Sequence, residues 1–134
     1  MQDTPGAEIV AELDIGRVDR IVEKGLDPRV EMYSAFYDPL KSPRCSDSGL
    51  AGVLKGEGVT DVYVVGLAAD YCVRFTAEDA AAEGFRTVII EEGTRAVDEG
   101  GWVKVREEIE AKGVKVVCMH GEEVRKLVEL GQTK

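Results

Sequence analysis

The 134-residue chain carries 26 acidic against 17 basic residues, a formal net charge of −9, with 44% hydrophobic and 32% charged residues. This length supports one domain with a real core, and the composition excludes global disorder. The acidic balance excludes nucleic acid and anionic membrane as partners, because their phosphates are repelled.

Gly16 to Gly25 contains an extended stretch ending in Lys24. Leu26 to Pro43 follows with Pro28, Pro39 and Pro43 and the aromatics Tyr33, Phe36 and Tyr37. A long connection without periodicity is commonly functional, and its aromatics argue against disorder. Leu50, Val53 and Leu54 mark a short helix, capped by Ser46 or Asp47 and ended by Gly56 or Gly58. Asp61 to Gly66 is a β-branched apolar run and reads as a buried strand. Cys72 to Glu83 reads as a helix with a small face of Ala77, Ala80 and Ala81, stopped by Gly84. Thr87 to Ile90 is a second buried strand. Trp102, Val105 and Ile109 recur at helical spacing up to Gly113, with Glu108 and Lys112 placed to pair at i, i+4. Val114 to Cys118 is a third strand. Glu122 to Leu130 is a last helix, with Val124, Leu127 and Val128 facing inward and Gly131 as its stop. Alternating strands and helices predict an α/β fold, three-layer α/β/α, with a parallel sheet joined by right-handed crossovers. No apolar run reaches the roughly 20 residues of a membrane helix, and the start MQDTPGAEIV lacks the basic and apolar regions of a secretory signal. Residues 1–134 are thus expected to form one domain.

In an open parallel sheet, ligands bind beyond the carboxyl ends of the strands. The turn from Gly66 to Cys72 (GLAADYC) lies there and places Cys72 in the first helical turn. Unpaired N–H groups and the helix dipole favour a thiolate at that position, and the same amides suit a developing oxyanion. The competing reading is a small buried core thiol. Cys118, inside a strand, reads as such a core residue, and Cys45 as incidental. Three cysteines at unrelated spacings fit a reducing compartment, hence the cytoplasm, with the nucleus admissible. His120, the single histidine, follows the third strand, about 10 Å from Cys72 at two strand spacings, and is read as a residue without a catalytic role. One histidine also excludes a multi-histidine metal site within the chain. Asp70 either orients a base or caps the helix, and capping is the stronger reading.

The turn GLAADYCV at Gly66 to Val73, with KGLDPRVEMYSAF at Lys24 to Phe36, resembles the nicotinamidase/pyrazinamidase branch of the isochorismatase-like cysteine hydrolases, the fungal enzymes most of all. The likeness continues through TAEDAAAEGF at Thr76 to Phe85 and EGTRAV at Glu92 to Val97. It implies an amidohydrolase that converts nicotinamide to nicotinic acid and ammonia in NAD salvage. Cys72 would be its nucleophile, and Lys24 the ammonium that stabilises the thiolate and its intermediates. The amides of Ala68 and Cys72 would form the oxyanion site, with a cis peptide at Leu67–Ala68. Tyr33 and Tyr71 would be aromatic walls for a flat pyridine ring.

The pattern also departs from that family. The family's first strand carries a catalytic Asp and its second an Asp-x-His…His set for a divalent metal such as zinc. Neither motif occurs in this sequence. The resemblance therefore implies a chain matching the C-terminal portion of the fold, with N-terminal strands missing, no cofactor of its own and impaired activity. With the family strand order 3-2-1-4-5-6, the remaining strands would close up, leave the edge of the Asp61 strand exposed, or pair with another chain, a homo-oligomer through that edge included. A non-catalytic module derived from the family, or a related hydrolase with a different substrate, remain alternatives.

Overall fold

The computed structural model describes residues 4–5, 8–40 and 44–132, so Pro43 lies outside the described residues. After a 3-10 turn at Ile15–Arg17, the elements are α1 (Leu50–Gly56), β1 (Asp61–Leu67), α2 (Cys72–Ala82), β2 (Arg86–Arg95), a 3-10 turn at Glu99–Gly101, α3 (Trp102–Ala111), β3 (Lys115–Val117) and α4 (Glu122–Gln132). The strands form one parallel sheet in the order β1-β2-β3. The α/β fold and its parallel sheet therefore follow the alternation in the sequence.

Two packed clusters hold the molecule. Val64, Val73, Ala77, Ile89, Ile109 and Val114 are buried together between sheet and helices, with Trp102 and Val105 packed against them. Phe36, Ala80 and Phe85 form the second cluster, and Leu50 and Leu54 of α1 close over it. The predicted alanine face of α2 is thus what lets the helix approach both clusters, Ala77 and Ala80 being fully buried.

β2 runs on to Arg95, beyond the predicted end at Ile90. Its pairing with β1 slips between Val64↔Ile89 and Gly66↔Thr94, so part of β2 bulges out before rejoining. Gly93 sits in that bulge because a Cβ there would lie 2.6 Å from Val65 Cγ1. A purely apolar run does not announce such a bulge, since Glu91 and Glu92 read as the loop after a finished strand.

Several local expectations are corrected. The residue before α1 is Gly49, and no side chain caps the helix there. Asp47 instead accepts from Gly49 N at 2.8 Å, and Ser48 Oγ accepts from Leu50 N at 3.2 Å. α4 passes through Gly131, and Leu127 and Val128 are exposed rather than inward. Its amphipathic pattern is real, but the short β3 offers too little sheet to cover it. Glu108 and Lys112 do not pair with each other: Arg74 meets Glu108 at 2.9 Å and Lys112 meets Glu78 at 3.1 Å, so both tie α3 to α2. Cys118 lies past the end of β3 and is exposed, its Sγ 3.2 Å from Glu92 Oε2. His120 is exposed in the turn before α4.

The segment expected to be extended before Lys24 joins no strand among the described residues, and Val18 and Ile21 are exposed there. Beyond it the chain is anchored. Met32 and Phe36 are buried, Ala35 N donates to Thr76 Oγ1 of α2 at 2.9 Å, and Tyr37 pairs with Asp47 in an antiparallel bridge. Asp38 is buried and accepts from Leu40 N at 2.7 Å and from Ser46 N. Burial opposes its ionisation, but the amides of Ser46, Leu40 and Cys45 outweigh it and hold the carboxyl below its ordinary range.

Candidate active site

β1 ends in an elbow that feeds α2, and four bonds with β2 and the loop after it pin that elbow. Thr94 Oγ1 donates to Gly66 O at 2.6 Å, and Ala69 N donates to Arg95 O at 2.8 Å. The Asp70 carboxylate accepts from Val97 N at 2.9 Å and Asp98 N at 3.0 Å. Asp70 therefore does not cap α2, whose preceding residue is Tyr71, without a side-chain cap. Burial disfavours its charged form, yet the amides of Asp98 and Val97 prevail and keep the carboxyl below its ordinary range. Both oxygens are thereby committed to the backbone, which leaves Asp70 as a clasp rather than a proton carrier. Thr94 and Arg95 were not legible as site residues, because their roles depend on the β2 bulge.

Cys72 opens α2 and is half-buried. Lys24 Nζ donates to Cys72 Sγ at 3.3 Å across 48 residues of chain, and to Met32 O at 3.1 Å. Gly25, with φ +69, turns the backbone immediately after Lys24, and the loop returns so that the Met32 carbonyl reaches the ammonium. An ammonium beside a sulfur favours its anion. Unit charges 4 Å apart attract by about 4 kcal/mol at an effective dielectric near 20, less where solvent screens them.

The Leu67–Ala68 peptide is cis. The Ala68 carbonyl is taken by Tyr71 N at 3.1 Å and Val73 N at 3.0 Å. The Cys72 N–H belongs to the first turn of α2, where a donor has no intrahelical acceptor. Neither this N–H nor that of Ala68 has a backbone acceptor among the described residues. Tyr33 and Tyr71 lie together, ring centroids 5.4 Å apart, and both are partly exposed. Phe75, one helical turn after Tyr71, stacks on Tyr33 at 5.7 Å and extends that wall. Its i, i+4 spacing from Tyr71 was the available signal for it.

The structure thus brings Lys24, Cys72 and the elbow together, with Tyr71 at the helix start and Tyr33 of the preceding loop against it. His120 is not among the partners of Cys72, and its backbone N–H meets Cys118 Sγ at 3.4 Å. Among the described residues no three His, Cys, Asp or Glu side chains converge as metal ligands, so the donor set does not fit a zinc ion. No helix among the described residues is long and apolar enough to cross a membrane.

Comparison with known proteins agrees with this geometry. The sequence pattern of the isochorismatase domain matches residues 1–120. The nicotinamidase of Acinetobacter baylyi is 38% identical over 101 residues, 75% of this chain and 46% of its own length. A solved L. infantum structure, in complex with nicotinate, superposes with a TM-score of 0.81 at 36% identity, over 87% of this chain and 57% of that one. The solved pyrazinamidase of Pyrococcus horikoshii, in complex with zinc, gives a TM-score of 0.73 at 34% identity, over 87% and 59%. The chain therefore spans about half the length of the relatives it matches.

Proposed function

The chain belongs to the isochorismatase family, and from that premise we propose that its site carries the thiol half of a nicotinamidase-type amide hydrolysis. The observation that carries this reading is the 3.3 Å contact of Lys24 Nζ with Cys72 Sγ. In the proposed step the Cys72 thiolate adds to the amide carbonyl carbon of nicotinamide. The carbonyl oxygen takes the negative charge and faces the N–H groups of Ala68 and Cys72. Collapse of this adduct breaks the C–N bond, and the nitrogen leaves as ammonia after taking a proton. Water then cleaves the thioester to nicotinic acid and returns the thiol. Tyr33 and Tyr71 hold the pyridine ring.

The proton must be carried from the thiol to the leaving nitrogen. Among the described residues no carboxylate hydrogen-bonds Cys72 or Lys24. General acid–base help is worth about 10²–10⁴ in rate, so the 134 residues alone turn over slowly in this reading. No step runs through a metal. Residues 1–134 act as one isochorismatase-like unit, and the open edge of β1, with Val65 and Leu67 exposed, is where a second chain would pair. Three free thiols suit a cytoplasmic setting, where the reaction would return nicotinamide to NAD salvage.

The test avoids the missing proton carrier. The aldehyde analogue of nicotinamide, 13C-labelled at its carbonyl, forms a thiohemiacetal with a thiolate without any leaving group. The expected result is a carbonyl signal shifted to the tetrahedral range with the native chain and lost in Cys72→Ala. No adduct, or an adduct that survives Cys72→Ala, contradicts the proposal.

A further inference from the structure

We propose that Thr76 is a positioning residue for the nucleophile: its hydroxyl fixes the loop whose Met32 carbonyl aims the Lys24 ammonium at Cys72. The inference rests on the reading above, in which that ammonium stabilises the thiolate, and it assigns a role to a side chain that acts through others.

Lys24 does not aim itself. A lysine has a flexible four-carbon stem and three rotatable donors, so many rotamers compete. The strip that carries it gives little support: Val18, Ile21 and Leu26 are exposed, and no strand forms there among the described residues. The ammonium donates to two acceptors, Cys72 Sγ at 3.3 Å and Met32 O at 3.1 Å. The carbonyl selects the rotamers that reach the sulfur. Where Met32 is held therefore decides whether the ammonium meets the thiol.

α2 supplies that hold. Cys72, Thr76, Asp79 and Ala80 fall at i, i+4, i+7 and i+8 and share one face of the helix. The loop from Met32 to Tyr37 lies along this face. Asp79 accepts a hydrogen bond from Ser34, Phe36 is buried with Ala80, and the Tyr37 hydroxyl donates to Glu83 Oε1 at 3.1 Å just past the helix. Those contacts fix side chains. Thr76 is where α2 takes hold of the loop's main chain, since Ala35 N donates to Thr76 Oγ1 at 2.9 Å. Ser48 Oγ donates to Ala35 O at 2.5 Å, but it ties the loop to the lead-in of α1, not to the helix of the nucleophile. Ala35 stands three residues beyond Met32, so at most about 10 Å of chain separates them. Thr76 stands one helical turn beyond Cys72, about 6 Å along the axis. The contacts thus close a ring: Cys72 to Lys24, Lys24 to Met32, along the loop to Ala35, across to Thr76 and back down α2 to Cys72. Loss of the Thr76 hydroxyl opens it.

The test is the rate of Cys72 alkylation by limiting iodoacetamide on the full chain, measured by peptide mapping in a cycle with Lys24→Met. Thr76→Val and Thr76→Ala both remove the hydroxyl. Alanine is the best helix former, so the second variant keeps α2 if the first does not fold. With Lys24 present, each should slow Cys72 about fivefold, the size of one lost hydrogen bond. With Lys24→Met in place, neither should slow it further, because the hydroxyl acts only through the ammonium. Thr76→Ser keeps the hydroxyl and should recover most of the rate. A loosened helix would slow Cys72 alike in both backgrounds, so equal slowing overturns the proposal. A rate indifferent to Thr76→Ala, or one that Thr76→Ser fails to recover, overturns it too. If Lys24→Met slows Cys72 while Thr76→Ala does not, this inference falls alone; if Lys24→Met changes nothing, the reading of the site falls with it.

Discussion

The molecule has two regions that hold their shape by different means. From β1 to α3, each element buries a face against the next, and Val88, Ile89 and Ile109 are sealed entirely. From Ile9 to Val30 the chain buries no residue, and it acquires position only at Lys24, whose ammonium grips the Met32 carbonyl and Cys72. The difference teaches that the nucleophile and its cation have unequal support. Cys72 rides on a rigid elbow, whereas Lys24 arrives on an exposed strip held by a few polar contacts.

The largest expected effect lies in the packed region. Ile89→Ala and Ile109→Ala should each cost about 2–5 kcal/mol in urea unfolding, because both side chains are fully buried. Ile21→Ser in the exposed strip should stay within about 0.5 kcal/mol. Similar losses in both regions would erase the contrast. Next in size is the clasp. Asp70→Ala releases two amides and should cost about 1 kcal/mol per lost bond. It should also slow alkylation of Cys72 by loosening the elbow, while Asp70→Asn recovers part of both.

How much of this was legible in the sequence follows the same division. Runs such as that from Val62 to Val65 and the spacing of Trp102, Val105 and Ile109 carry their own periodicity, so strands and helices of the packed region could be read locally. The Cys72 turn was readable because helix starts have their own chemistry. The end of β2, the role of Asp70 and the exposure of Cys118 were not, because each depends on the bulge that brings Glu92 to Cys118 and Arg95 to Ala69. Lys24 was found through a resemblance, since nothing local to a lone lysine points to a thiol 48 residues away.

Two smaller predictions concern charge. Asp79 has its carboxyl raised chiefly by burial, so its ionised form costs the folded state stability. That cost is absent below the ordinary carboxylate range and grows as pH rises through it. Asp79→Asn should therefore raise the melting temperature at pH 7, with the gain vanishing near about pH 3. Glu123 behaves oppositely: hydrogen bonds from Arg86 first and Lys115 second hold its carboxyl at about 2. Its contribution is complete above the ordinary value near 4.5 and is lost as pH falls through about 2. Glu123→Gln should lower the melting temperature slightly at pH 7, the smallest effect here because the pair is exposed, and by much less near pH 2.

The central claim is that Lys24 makes Cys72 the reactive thiol of this chain. The direct measurement is limiting iodoacetamide at pH 7, with the rate at each cysteine read by peptide mapping. Cys118 faces the Glu92 carboxylate, the wrong sign to hold a sulfur anion, and Cys45 has no ammonium hydrogen-bonded to it. Cys72 should be modified first. Lys24→Met should slow it by at least about tenfold, equivalent to about 1.4 kcal/mol of the screened attraction, and Lys24→Arg should recover part of the rate. Preferential labelling of Cys45 or Cys118, or a Cys72 rate indifferent to Lys24→Met, would contradict the account.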